Sequence, residues 1–327
     1  VTPLVDGFSR TIDYLRVSVT DRCNLRCVYC MPATGVRPMA PSSILSYEEI
    51  GRIVRIFSGL GVRFVRLTGG EPLVRRDLTS LIRDLRSIPA IESLTVTTNG
   101  ILLAETAASL RDAGLTRVNV SLDTLREERY KEITRGGELA QVLAGLSAAQ
   151  EAGLSPVKIN CVVIRGFNDD EIESLASLTL SHPYSVRFIE YMPLGARDYW
   201  APERCVPTSE IRARVEALGT LTPVEKPTTA GPAEKFRLPG AAGQIGFISP
   251  VSNHFCGACN RVRLTSEGLL RLCLFSLEGV DLRTPLREGA TDDQLERIIR
   301  ESLARKPDRS QMGSIDDDLK AMYRIGG

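Results

Sequence analysis

Along the chain, stretches that alternate apolar and polar residues give way repeatedly to stretches in which apolar residues recur every three or four positions. Period two predicts a half-buried strand and the longer recurrence an amphipathic helix, because side chains leave a strand on opposite faces and a helix along one stripe. Read this way, strands fall at 14–20, 63–68, 94–98, 117–122, 157–163 and 186–191. The first helix opens at Ser46, whose partner three positions on, Glu49, completes a capping box, and Ile50, Ile53, Val54, Phe57 and Leu60 form its apolar stripe up to Gly61. Leu78, Leu81, Ile82 and Leu85 mark a second helix, and further helices are predicted at 103–113, 139–152, 171–180 and 208–218.

Six consecutive strand-helix units predict parallel strands joined by right-handed crossovers. Parity then chooses the architecture. One face of the strands carries Leu15, Val17, Val65, Leu67, Val96, Val118, Val120 and Ile159; the other carries Arg16, Arg66, Thr95, Thr97, Asn119, Ser121, Lys158 and Asn160. A doubly wound sheet needs apolar residues on both faces. Helices packed on the apolar face alone leave the polar face looking into a shared interior, so the predicted fold is α/β, an incomplete (β/α)6 barrel of the triosephosphate-isomerase type. Arg187 and Glu190 have opposite parity and leave the sixth strand unoriented. Burying unpaired cations costs several kcal/mol each, so the interior is predicted to hold an anion.

After Pro207 the pattern changes: 225–235 reads as a loop, 244–249 as a short strand, and 261–263 as a strand with two arginines on one face, suited to a phosphate or carboxylate, with a solvated edge strand as the alternative. This divides the chain into a barrel at 1–206 and a smaller α+β C-terminal region at 207–327.

Composition narrows the chemistry. The 327 residues carry a net charge of +1, with 43% hydrophobic and 25% charged residues, which gives no support to a nucleic-acid partner. No run of apolar residues is long enough to span a membrane, and residues 1–10 lack a secretory pattern. Eight cysteines in such a chain predict a reducing, cytoplasmic setting and metal ligation rather than a disulfide framework. With two histidines, His182 and His254, imidazole catalysis is not expected to be central.

The cysteines fall into two trios. Cys23, Cys27 and Cys30 are separated by three and then two residues in the loop after the first strand. Three thiols cannot pair among themselves, and a structural zinc site wants a fourth ligand, whereas a cluster held by three thiolates keeps one iron open. Cys256, Cys259 and Cys273 form the second trio, where His254 keeps zinc open as an alternative. Cys161 is expected in the core and Cys205 has no assigned role. Small motifs lie at the carboxyl ends of strands, where parallel α/β folds place their sites: Gly69-Gly70-Glu71-Pro72, Thr97 to Gly100, Ser121 with Asp123, Asn160, and Met192-Pro193.

The first trio, with Tyr29 just before its last cysteine, resembles the radical S-adenosylmethionine (SAM) superfamily. Together with the second trio, the Arg261-Val262-Arg263 run and the terminal Gly326-Gly327, the whole chain resembles the GTP cyclases that open molybdenum cofactor (molybdopterin) biosynthesis, enzymes of the lyase class. The resemblance implies two [4Fe-4S] clusters, one on Cys23, Cys27 and Cys30 and one on Cys256, Cys259 and Cys273. It implies contacts to SAM from Tyr29, Gly70, Glu71, Ser121, Asn160 and Met192. GTP would be held by Arg16, Arg66, Thr97, Lys158 and Arg261 to Arg263, with Gly326, Gly327, Arg261 and Arg263 acting at the reaction centre. It further implies reductive SAM cleavage, removal of the ribose 3′ hydrogen, and carbon-carbon bond formation to 3′,8-cyclo-7,8-dihydro-GTP. A reductant such as flavodoxin or ferredoxin and a homodimer would complete the system. Two other classes stay open: a radical SAM enzyme that modifies a peptide and carries an auxiliary cluster, and a non-enzymatic zinc or iron-sulfur scaffold.

Overall fold

The alternation along the strands is realised as pleat. In the computed structural model, which describes residues 3–195, 199–225, 231–276 and 278–309, strands β1 (Tyr14–Ser18), β2 (Phe64–Thr68), β3 (Ser93–Thr98), β4 (Arg117–Ser121), β5 (Lys158–Val163) and β6 (Ser185–Glu190) pair in chain order. Every neighbouring pair is parallel. Leu15, Val17, Leu67, Val96, Val118, Val120 and Ile159 are fully buried on the face that meets the helices.

Helices α1 (Tyr47–Gly59), α2 (Leu78–Arg86), α3 (Leu103–Asp112), α5 (Leu139–Glu151), α6 (Ile172–Ser181) and α7 (Thr208–Glu216) lie where periodicity puts them. The capping box at α1 is present: Ser46 Oγ accepts from Glu49 N (3.2 Å) and Glu49 Oε2 accepts from Ser46 N (2.7 Å). Helix α4 (Glu127–Thr134) was not predicted; three buried residues, Tyr130, Ile133 and Thr134, are too few to set a readable stripe on so short a segment.

The C-terminal region does not sit apart from the sheet. Strand β9 (Gln244–Ile248) pairs parallel with β6 on one flank, and β10 (Arg261–Leu264) pairs parallel with β1 on the other. The strand expected at 261–263 is an inner strand, not a solvated edge, covered on its far side by β11 (Leu269–Arg271) and β12 (Val280–Asp281). On the opposite flank β8 (Glu234–Arg237) and β7 (Thr222–Pro223) continue the sheet antiparallel, so the last residues of the expected loop are strand. Helices α8 (Arg283–Arg287) and α9 (Asp292–Leu303) close the described chain. Twelve strands thus form one sheet among the described residues, linear in order and unclosed, which is an incomplete barrel. Among the described residues, no helix is long and apolar enough to cross a membrane.

Candidate functional site

Register turns the polar face into lateral rows. Arg263, Arg16, Arg66, Thr95 and Arg117 are successive partners across β10, β1, β2, β3 and β4. Thr97, Asn119, Lys158 and Ser185 form a second row, and Ser121, Asn160 and Arg187 a third. All of these residues but Asn119 and Ser185 line a cavity of about 430 Å³. Cys23, Cys27 and Cys30 line it from one loop and Cys256, Cys259 and Cys273 from another, so both trios open into one chamber.

Three glycines pack against the first thiol loop. A Cβ at Gly70 would stand 2.6 Å from the carbonyl carbon of Arg22, and one at Gly69, whose φ is +142°, would stand 3.1 Å from Thr20 N. Backbone bonds follow from that approach: Gly70 N donates to Thr20 O (2.8 Å) and Glu71 N to Arg22 O (2.8 Å). On the other side Gly195 (φ +95°) lies against Tyr29 and Cys30, where a Cβ would come 3.2 Å from Cys30 Cα. Cys23 Sγ accepts from Leu25 N at 3.4 Å. The three sulfurs face the cavity with no imidazole among them. Burial raises the Cys27 thiol well above its ordinary range, and Cys30 and Asp123 add to the effect.

Tyr29 lines the chamber and its hydroxyl donates to Asp123 Oδ2 (2.7 Å), while Asp123 Oδ1 accepts from Val162 N (2.8 Å). Burial pushes Asp123 up to about 6 against those two bonds. Gly70, Ser121, Asn160 and Met192 line the same end. Glu71 does not. It is 1% exposed, and its carboxylate accepts from Leu73 N (3.0 Å), Thr98 Oγ1 (2.8 Å) and Asn99 N (2.6 Å). The expectation that it contacts SAM is corrected: it ties the end of β2 to the end of β3, and its oxygens accept from backbone and hydroxyl donors.

The middle of the chamber is cationic. Arg16, Arg66 and Lys158 line it as parity predicted, and the Nε atoms of Arg16, Arg66 and Arg187, with Thr97 Oγ1 and Asn160 Oδ1, are buried without a hydrogen-bond partner. Burial, then Arg263 and Arg66, pulls Arg16 well below the usual guanidinium range. Burial and Arg261 bring Arg263 down to about 10, and burial and Arg66 bring Arg187 to about 9. Lys158 falls to about 5 through burial, then Arg187 and Arg117. A cluster of cations held out of water with orphaned donors fits a polyanion, whose charge would offset the mutual repulsion.

Val262 is the second correction. It is fully buried in the apolar core beside Leu15, because its parity is opposite to that of Arg261 and Arg263, which do line the cavity. Gly326 and Gly327 lie outside the described residues.

At the second trio, burial pushes the Cys259 thiol up, but Arg261 and Lys306 outweigh it and bring it down to about 7. His254 also lines the chamber. Among the described residues no three His, Cys, Asp or Glu side chains are grouped as a single metal ion would need. Three thiols at each trio are the ligand type that an iron-sulfur cluster takes.

Sequence reasoning missed several lining residues. Arg187 faces in, and Glu190 faces away, accepting from Thr208 N (2.8 Å), Val251 N (2.9 Å) and Ser252 N (2.9 Å). Arg117 shares parity with Asn119 and was legible on that ground. Lys235 sits in the segment read as loop. Cys161 is core as expected, and Cys205, half-buried, forms a β-bridge with Ile164.

Comparison with known proteins matches residues 17–179 to the radical SAM superfamily and 184–312 to the molybdenum cofactor synthesis C-terminal family. Proteins named GTP 3′,8-cyclase are similar over nearly the whole length. That of Pelotomaculum thermopropionicum is 52% identical over 98% of this chain and 99% of its own, and that of Syntrophomonas wolfei 48% over 99% and 100%. Among solved structures, Streptococcus suis SuiB bound to S-adenosylmethionine superposes with a TM-score of 0.65 at 15% identity, over 89% of this chain and 68% of that one. Methylornithine synthase gives 0.50 at 17%, over 63% and 62%. These two share the fold.

Proposed function

The chain belongs to the GTP 3′,8-cyclase family of radical SAM enzymes, and from that premise we propose how its cavity divides the work. The reaction is the cyclisation of GTP to 3′,8-cyclo-7,8-dihydro-GTP, the first step of molybdenum cofactor biosynthesis, with SAM and a [4Fe-4S] cluster as cofactors. The residues expected to hold that cluster are Cys23, Cys27 and Cys30, and a second cluster is assigned to Cys256, Cys259 and Cys273. The observation that carries the assignment is the opening of both trios into one chamber whose middle is lined by unpartnered cationic donors.

When bound, the first cluster and SAM supply the one-electron reductive cleavage that removes the ribose 3′ hydrogen ahead of ring closure on guanine C8. The chain itself binds, orients and shields. Arg16, Arg66, Lys158, Arg187 and Arg263 hold the triphosphate between the trios, which fixes the ribose relative to the SAM end. Thr97 and Asn160 present one unpartnered polar atom each at the same level. Tyr29, Gly70, Ser121 and Met192 shape the SAM end, and Asp123 holds the Tyr29 ring in place. The aromatic side chains of Tyr191, Tyr199 and Trp200 pack behind Tyr29 and keep water from that wall. Arg16, Arg66 and Arg187, each with a buried Nε that has no acceptor, favour a nucleoside triphosphate over a peptide. A one-electron reductant of the flavodoxin or ferredoxin class, a homodimer and a cytoplasmic location complete the proposal, together with a role for Gly326 and Gly327 at the reaction centre.

The test is anaerobic reconstitution followed by incubation with SAM, dithionite and either GTP or ATP. About eight irons per chain and 5′-deoxyadenosine formation stimulated by GTP but not ATP are expected. Failure of GTP to stimulate would overturn the assignment of the cavity.

A further inference from the structure

Two buried cations outside the triphosphate site grip the chain on either side of the second thiol trio. Arg10 is 8% exposed and is fixed first by Asp6, which accepts from Arg10 Nε (2.6 Å) and from the backbone of Phe8 (2.9 Å) and Arg10 (3.0 Å). The rest of the fork donates to three carbonyls: Cys256 (2.9 Å) and Asp308 (3.0 Å) from Nη1, and Pro307 (2.7 Å) from Nη2. Lys306 is 3% exposed. Its ammonium donates to Leu272 O (2.5 Å) and Arg261 O (3.0 Å) and reaches Cys259 Sγ at 3.8 Å.

The positions of these acceptors matter. One is the carbonyl of Cys256, one lies two residues past Cys259, and one immediately precedes Cys273, so the two cations hold the backbone at all three thiols. An ammonium has three protons to donate, and here they go to two carbonyls and a sulfur, none to a carboxylate. A charge withdrawn from water in this way costs several kcal/mol unless negative charge meets it. Cys259 is the side chain at hand to carry that charge. A cubane ligated by three thiolates is net negative, and one-electron reduction makes it more so.

We propose that Lys306 is a positioning residue for the second thiol trio and sets the redox poise of the centre bound there, with Arg10 holding Lys306 in place through the Pro307 and Asp308 carbonyls. This rests on the reading that Cys256, Cys259 and Cys273 hold a [4Fe-4S] cluster. The ammonium fixes the segments that carry Cys259 and Cys273, and its uncompensated charge at Cys259 Sγ favours the reduced state, since net charge and hydrogen bonds to sulfur set cluster potentials. A residue that only anchored the segment after α9 would leave that potential unmoved.

The experiment uses the full-length reconstituted chain, its iron content, and a dithionite titration followed by electron paramagnetic resonance. The second centre is read alone in the background Cys23→Ala, Cys27→Ala, Cys30→Ala, and the first alone in Cys256→Ala, Cys259→Ala, Cys273→Ala. Lys306→Met is expected to make reduction of the second centre at least tenfold less favourable, a shift of about 59 mV to more negative potential for one electron. The first centre should stay unmoved, and Lys306→Arg should restore the second. Arg10→Lys, which keeps the charge and loses the fork, should move the second centre in the same direction by less. If Lys306→Met instead loses the second centre's iron, Lys306→Arg must restore both iron and potential; a failure to restore either overturns the proposal. An unshifted potential in Lys306→Met with full iron overturns it as well. A wild-type chain that takes up only about four irons sinks the second-cluster reading itself, a result distinct from both.

Discussion

Arg16 on β1 stands directly beside Arg66 on β2 in the parallel ladder, and the Nε of each is buried without an acceptor. Two guanidinium groups side by side repel, and among the described residues no carboxylate is paired with either. Empty and occupied states therefore place opposite demands on these residues.

The first expectation concerns Arg66→Met. Removing one of two neighbouring cations relieves Arg16, so the melting temperature of the ligand-free protein should stay level or rise. GTP affinity should fall about tenfold to a hundredfold, the equivalent of losing about 1.5 to 3 kcal/mol of charged hydrogen bonding. Calorimetric titration and thermal melts check both. A fall in melting temperature with unchanged affinity would assign Arg66 to structure alone.

Lys158 leads to a proton count. Its ammonium, held down to about 5 by burial and by Arg187 and Arg117, is neutral in the empty chamber at pH 7.5 and regains a proton when a triphosphate arrives. GTP binding should take up a proton, and affinity should weaken as pH rises from about 7 to 9. The sign for stability is opposite. Between about 5 and the ordinary 10.5 the unfolded chain holds a proton that the folded chain lacks, so Lys158 makes ligand-free stability rise with pH. Titrations in buffers of different ionisation heat report the uptake, which Lys158→Met should abolish. Net proton release would refute this account.

Gly70→Ala tests the support of the first trio. A methyl group there would press on the Arg22 carbonyl, 2.6 Å from its carbon, so the loop carrying Cys23 must shift. The variant should lose the iron of the first cluster while keeping that of the second, and should lose roughly 1 to 3 kcal/mol of stability, the cost of a strained backbone site. Normal iron content would mean the loop tolerates the shift.

For Glu71 the measurement separates a tie from a ligand. Burial pushes its carboxyl up to about 7, yet Asn99 N, Leu73 N and Thr98 Oγ1 all donate to it. Glu71→Gln turns an amide donor toward one of these groups and should cost about 1 to 3 kcal/mol of stability, with only a modest loss of SAM affinity. A variant that melts normally but no longer binds SAM would show that the carboxylate meets the ligand directly.

Arg187 and Val262 mark the limits of parity. The β6 sequence places Arg187 and Glu190 on opposite faces, and both are polar, so alternation supplies no sign; the choice came from pairing with Asn160 on one side and Gly246 on the other. Val262 sits between two arginines that face the cavity, and the pleat turns it into the core. The sequence at 225–235 reads as loop because two prolines and the start of a short strand leave no period to count, yet it brings Lys235 to the cavity wall.

The sequence by itself determined the two thiol trios, the six strand-helix units and the cationic face of β1, β2 and β5, because ligand spacing and side-chain alternation are local properties of a chain. Tertiary structure alone decided that the trios share a chamber. That outcome depends on β10 lying parallel to β1, a pairing between segments at opposite ends of the chain. Such pairing is set by which buried faces fit together, and no local period records it.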